Sequence, residues 1–167
     1  MTTNPPGTAV AVDREAIAEG LNPLGLEGVE FIEYATSKPQ ALGQVLEKMG
    51  FRPVSRHRSR EVLLYRQGDL NVIVNAHSSG TALTETPVIA AIALRVRDAA
   101  AAYGRALERG AWAVPARVEV MELNIPAVHG VGTSRIYFVD RYREFSTRCT
   151  RLWSRNPSSA GKSTSSK

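Results

Sequence analysis

A strand-like run, an amphipathic helix and a glycine follow one another twice in this chain, and that internal repeat restricts the fold more than any other feature. Residues 29–35 (VEFIEYA) have strand character, and residues 38–49 place Leu42, Val45, Leu46 and Met49 at helical spacing before Gly50. Sixty residues on, 89–96 (IAAIALRV) read as a strand, Asp98 is a suitable N-cap, and the apolar stripe of 99–109 ends at Gly110. Aligning Gly50 with Gly110 sets EKMGFRPV over LERGAWAVP and VEFIEYA over IAAIALR. In the first copy three short strands are expected at 51–56, 62–66 and 70–75, with Gln67-Gly68-Asp69 as hairpin chemistry. In the second copy strands are expected at 111–114, 136–139 and 145–152, and NIPAVHGVG reads as irregular. The fold class that follows is α+β, with a βαβββ module repeated twice.

The outer segments read differently. Residues 1–24, with Asn4-Pro5-Pro6-Gly7 and Asn22-Pro23, are expected to form an arm, 25–153 the folded domain (modules at about 28–76 and 88–153), and 154–167 a disordered basic tail rich in Ser. The formal charge of +5 points to nucleic acid only superficially. Arg151, Arg155, Lys162 and Lys167 supply most of it, and the rest of the chain is close to neutral with no basic stripe interleaved with aromatics. No nucleic-acid partner is expected. The single Cys149 excludes an internal disulfide and fits a reducing compartment. No apolar run approaches a membrane span and no signal-peptide pattern opens the chain, so no membrane partner and a cytoplasmic location are expected.

Six ordered segments, NPLGLEGVEFIEYA, EKMGF, HRSREVLLYRQGDLNVIVN, LRVRDAAAAYGRALERGA, MELNIPAVHGVG and YFVDRY, resemble the amino-terminal domain of 4-hydroxyphenylpyruvate dioxygenase, within the vicinal oxygen chelate (glyoxalase and bleomycin-resistance) superfamily. The resemblance covers roughly residues 22–145. It implies that the two βαβββ modules pair into a curved mixed sheet around a cleft, with their first strands side by side. It also implies a dioxygenase that uses Fe(II), held by two His and a carboxylate in a carboxy-terminal domain that has no counterpart here. In metal-binding relatives of the fold, ligands sit on the first strand of each module and on a final strand. Those positions fall on Phe31, on Ala91 and near Thr147, none of which offers an imidazole or a carboxylate. No metal and no catalytic residue is therefore expected.

Strand alternation groups the remaining candidates. If Phe31 faces the cleft so do Val29 and Glu33, and if Ala91 faces it so do Ile89, Ala93 and Arg95. The expected substrate-binding set is Phe31, Glu33, Asn71, Asn75 and Arg95, with Glu33 and Arg95 meeting as a charge pair or a clamp and Val29, Phe31 and Ile89 as an apolar floor. His57, His77 and His129 fall at a strand end or in loops, where joint metal ligation would need those segments to converge. Gly130-Val131-Gly132 lacks a nucleotide-binding context, and no base stands beside Ser78 or Ser79. Three functions stay open: a stand-alone binding or assembly module, as a homodimer or docked on a separate catalytic dioxygenase half; an Fe(II)-dependent aromatic 2-oxo acid dioxygenase with ligands from unexpected places such as His57, His129, Glu122 or Glu144; and a sequestering, resistance-type protein for an aromatic small molecule.

Overall fold

The computed structural model describes residues 22–77, 83–115, 125–140 and the backbone of 153–155. The expected arm up to Gly20, Thr147, Cys149, Glu122, Glu144, the 145–152 strand and all but two residues of the expected tail lie outside them. The described elements are β1 (Leu26–Ala35), α1 (Pro39–Lys48), β2 (Arg52–His57), β3 (Val62–Gln67), β4 (Leu70–Asn75), β5 (Val88–Val96), α2 (Ala99–Glu108), β6 (Ala127–His129), β7 (Arg135–Val139) and β8 (Trp153–Arg155). They form one mixed sheet of eight strands in the order β6-β7-β5-β1-β4-β3-β2-β8.

The repeat is visible in how each helix ends. At α1, the N–H of Phe51 bonds to the carbonyl of Leu46 and that of Gly50 to Glu47; at α2, Ala111 bonds to Ala106 and Gly110 to Leu107. Both closures turn the chain through a glycine in the left-handed region, Gly50 at φ 96° and Gly110 at φ 90°, where a Cβ would be strained. Each module then sets its first strand parallel to its last, β1 with β4 and β5 with β7. Antiparallel pairing of β1 with β5 joins the modules at the centre of the sheet.

Both helices cover the same face. α1 packs its Leu46 against Phe51, Tyr65, Val72 and Val74. α2 packs its Ala99 and Ala102 against Val96, Val128 and Phe138. Burial, with the Glu47 carboxylate as a lesser cause, raises the Tyr65 phenol above its ordinary value of 10.0. The opposite, helix-free face carries its own buried cluster of Phe31, Val62, Ile73, Ala93 and Val139, against which Leu64, Ile125 and Tyr137 pack.

Three expectations change in the second half. NIPAVHGVG is not wholly irregular, because its Ala127–His129 pair with β7 as β6. The expected strand at 111–114 is reduced to a bridge between Ala113 and Val128. Ser154 and Arg155, expected in the tail, pair with Arg56 and Ser55 as part of β8. Backbone hydrogen bonding explains the first two: Val114 donates to Ala127 and His129 to Trp112, so 112–114 and β6 satisfy each other without a long strand in either.

Candidate functional site

The helix-free face is built from the centre of the sheet outward. Phe31 lies opposite Ala93 across β1–β5 and opposite Asn71 across β1–β4. It is only 6% exposed, with the Tyr137 ring 6.3 Å away between centroids. Ala91 is 2% exposed and opposes Glu33. The two first strands do lie side by side, as the resemblance implies.

Polar groups gather at two ends of this apolar strip. At one end, Arg95 Nε donates to Glu30 Oε2 at 2.5 Å and Arg95 Nη2 to the Asp69 carbonyl at 3.0 Å. Asn71 joins the same cluster: its Nδ2 donates to the Glu30 carbonyl at 2.9 Å and its Oδ1 accepts from Arg66 Nε at 2.8 Å. Glu30 and Asn71 are buried, so the ion pair is held away from bulk water, where its charges are less screened. At the other end, Asn75 Nδ2 donates to Glu33 Oε1 at 2.7 Å, and Asn75 Oδ1 accepts from the His77 N–H at 2.8 Å.

The expected clamp between Glu33 and Arg95 is therefore not formed. Antiparallel pairing puts Glu33 opposite Ala91 and Arg95 opposite Gly28, at opposite ends of the β1–β5 ladder. Strict alternation also fails at both ends of that ladder. Register shifts between Val29 and Phe31 and between Glu33 and Tyr34 set Val29 opposite Leu94 and Ile89 opposite Tyr34. Leu94 and Tyr34 pack with the helix-side clusters, and cross-strand partners share a face, so Val29 and Ile89 leave the expected apolar floor. The first shift makes Glu30 the extra residue and the partner of Arg95, a role that alternation alone could not have found. Asn71 and Asn75 do flank Ile73 on this face, opposite Val72 and Val74.

At the two first-strand positions that the resemblance marks for ligands stand the benzyl ring of Phe31 and the methyl group of Ala91, neither of which offers a nitrogen or oxygen donor to a cation at ~2 Å. The histidines do not converge either: His57 ends β2 near one rim of the sheet, while His129 ends β6 at the other. Among the described residues no three His, Cys, Asp or Glu side chains come together in a way that could hold a metal ion. Among them, too, every buried side-chain nitrogen or oxygen has a hydrogen-bond partner.

Paired βαβββ modules meeting first strand to first strand, with both helices on one face, define a protein of the vicinal oxygen chelate class. Within that class the family model for the amino-terminal domain of hydroxyphenylpyruvate dioxygenase matches residues 21–150, and the chain belongs to this family. It is 45% identical over 130 residues to the 4-hydroxyphenylpyruvate dioxygenase of Pseudomonas sp. (strain P.J. 874), an alignment that covers 75% of this chain and 36% of that protein. It is 43% identical over 133 residues to hemolysin VllY of Vibrio vulnificus, covering 75% of this chain and 37% of the relative. Among solved structures it is similar to a xylose isomerase-like TIM barrel/4-hydroxyphenylpyruvate dioxygenase fusion protein, with a TM-score of 0.64 and 32% identity over 79% of this chain and 22% of that one. The chain thus spans little more than a third of the length of these two curated relatives. Among the described residues no helix is long and apolar enough to cross a membrane.

Proposed function

We propose that this chain is a binding and assembly module of the hydroxyphenylpyruvate dioxygenase type, with no iron site of its own, and that the chemistry resides in a separate catalytic dioxygenase half on which it docks. The observation that carries this reading is the pair Phe31 and Ala91, apolar groups packed at the first-strand positions where ligands would have to stand. In those relatives the matching module is one part of a longer polypeptide. Fold kinship alone does not transfer a site.

In this reading Phe31, Glu33, Asn71, Asn75 and Arg95 define the helix-free face as a preformed surface. Its apolar centre is closed by packing and its two polar ends are held by internal hydrogen bonds. The test has two arms. Purified chain loaded with Fe(II) under anaerobic conditions should retain well under one metal per chain and show no oxygen uptake on 4-hydroxyphenylpyruvate. Mixed with a family enzyme's separately expressed carboxy-terminal half, it should elute from size-exclusion chromatography as a complex. Stoichiometric iron with oxygen uptake by the chain alone, or a chain that stays apart from every such half, would overturn the proposal.

A further inference from the structure

We propose that the groove between α1 and α2 is a docking surface for the chain's own residues 9–21, on the side of the sheet away from the helix-free face. The floor of the groove is the middle of the sheet. There β1 and β5 present Val29 opposite Leu94, Ile32 opposite Ile92 and Tyr34 opposite Ile89. The helices pack to either side of this strip, α1 on β2 and β4 and α2 on β6 and β7. Val29 is left 38% exposed and Ile89 43%.

The walls differ in character. A Cβ on Gly43 would meet Tyr65 of β3, so the other flank of α1 turns toward β1. Leu42, Val45 and Met49 stand on that flank at helical spacing, with Val45 51% and Met49 62% exposed. The internal repeat sets Ala102, Arg105 and Arg109 in the same places on the α2 side. Neither arginine is paired with a carboxylate among the described residues. One wall is thus apolar and the other basic, and an exposed apolar area in the middle of a sheet marks a surface that something covers.

Entry point, reach and composition select the occupant. Asn22 brackets Leu26, its Nδ2 donating to the Leu26 carbonyl at 2.9 Å and its Oδ1 accepting the Leu26 N–H at 2.7 Å. Leu24 packs on the helix side with Val96, Ala99 and Ala102. The chain before Asn22 therefore arrives at the mouth of the groove, at its Val29 end. From Val29 to Tyr34 the strip runs about 17 Å, and the thirteen residues 9–21 reach about 20 Å even at the short rise of a helix. They bring Val10, Val12, Ile17 and Leu21 for the apolar floor, and Asp13, Glu15 and Glu19 against the single Arg14. That acidic excess complements Arg105 and Arg109.

Thiol labelling of the full chain tests the cover. Val29→Cys, Ile89→Cys and, outside the groove on α2, Leu107→Cys are each reacted with N-ethylmaleimide, and mass spectrometry of the peptides separates the introduced thiol from Cys149. Leu107 is 36% exposed, close to Val29 and Ile89, so an open groove gives three similar rates. A covered groove should make the thiols at 29 and 89 react at least tenfold more slowly than the one at 107. Ile17→Glu/Leu21→Glu should bring all three rates within threefold of one another. Arg105→Glu/Arg109→Glu, confined to exposed side chains, should raise the two groove rates at least threefold. Groove thiols as fast as the reference, or protection that survives Ile17→Glu/Leu21→Glu, would overturn the proposal. So would protection that vanishes on dilution together with a dimer on size-exclusion chromatography, which would make a second copy of the chain the occupant.

Discussion

The two modules reach the same strand order by different packing. α1 lies close to its strands because Gly43 has no side chain: a Cβ there would run into the Tyr65 hydroxyl. α2 instead buries alanines, Ala99 and Ala102, and its Gly104 faces open space. Their N-termini differ as well. α2 is capped by Asp98, whose Oδ1 accepts the Ala101 N–H at 2.9 Å, and Asp140 Oδ2 accepts from Ala99 at 3.2 Å. α1 begins at Lys38-Pro39 with no such cap. There the buried Thr36 hydroxyl accepts the Lys38 N–H at 3.0 Å and lies 3.3 and 3.2 Å from the carbonyls of Thr84 and Glu85. The comparison teaches that α1 is fastened to the connector between the modules, whereas α2 is fastened within its own module.

Substitutions can break that contrast. Thr36→Val keeps the shape but strands a backbone N–H and the carbonyls it faces, so chemical denaturation should show a loss of about 2–3 kcal/mol. Gly43→Ala should cost about 1–2 kcal/mol in the same assay, overpacking against Tyr65 outweighing the better helix propensity of alanine. Asp98→Ala should cost about 1 kcal/mol. Lys38→Ala should stay within about 0.5 kcal/mol, since its ion pair with Glu85 is exposed and caps nothing. Gly104→Ala has the opposite sign from Gly43→Ala, with a gain of about 0.5–1 kcal/mol read as a higher thermal midpoint.

The smallest effect concerns pH and belongs to the first module alone. Below pH 10 the Tyr65 phenol is protonated in folded and unfolded chains alike. As pH rises past that value the unfolded chain releases the proton first, because the folded group is raised. Stability should therefore fall as pH rises past 10.0 toward the raised folded-state value, and less steeply in Tyr65→Phe. Equal slopes in the two proteins would mean that the burial of Tyr65 does not govern this titration.

Period and punctuation made most of the fold legible in the sequence. Leu42, Leu46 and the closing glycines fixed both helices, and Gln67-Gly68-Asp69 fixed the β3–β4 hairpin, whose ladder runs from Val62 to Gln67 against Leu70 to Asn75. Asn71 and Asn75 were legible as one polar edge because β4 has no irregularity. The charged pair was not, because pairing Arg95 with Glu30 depends on a bulge, and a bulge is a property of two strands together that neither strand encodes alone. β6 was hidden for a similar reason. Three residues carry no measurable alternation, and Ala127–His129 become a strand only because β7 lies on one side and residues 112–114 on the other.

Those three-residue pieces have a consequence for assembly. At one rim β8 lies along β2, and at the other β6 is already engaged by the segment around Ala113. Among the described residues each outermost strand spans three residues, a short template for a visiting backbone. For a polypeptide that joins this described sheet, side chains on its faces and turns then offer more to recognise than the amide ladder does.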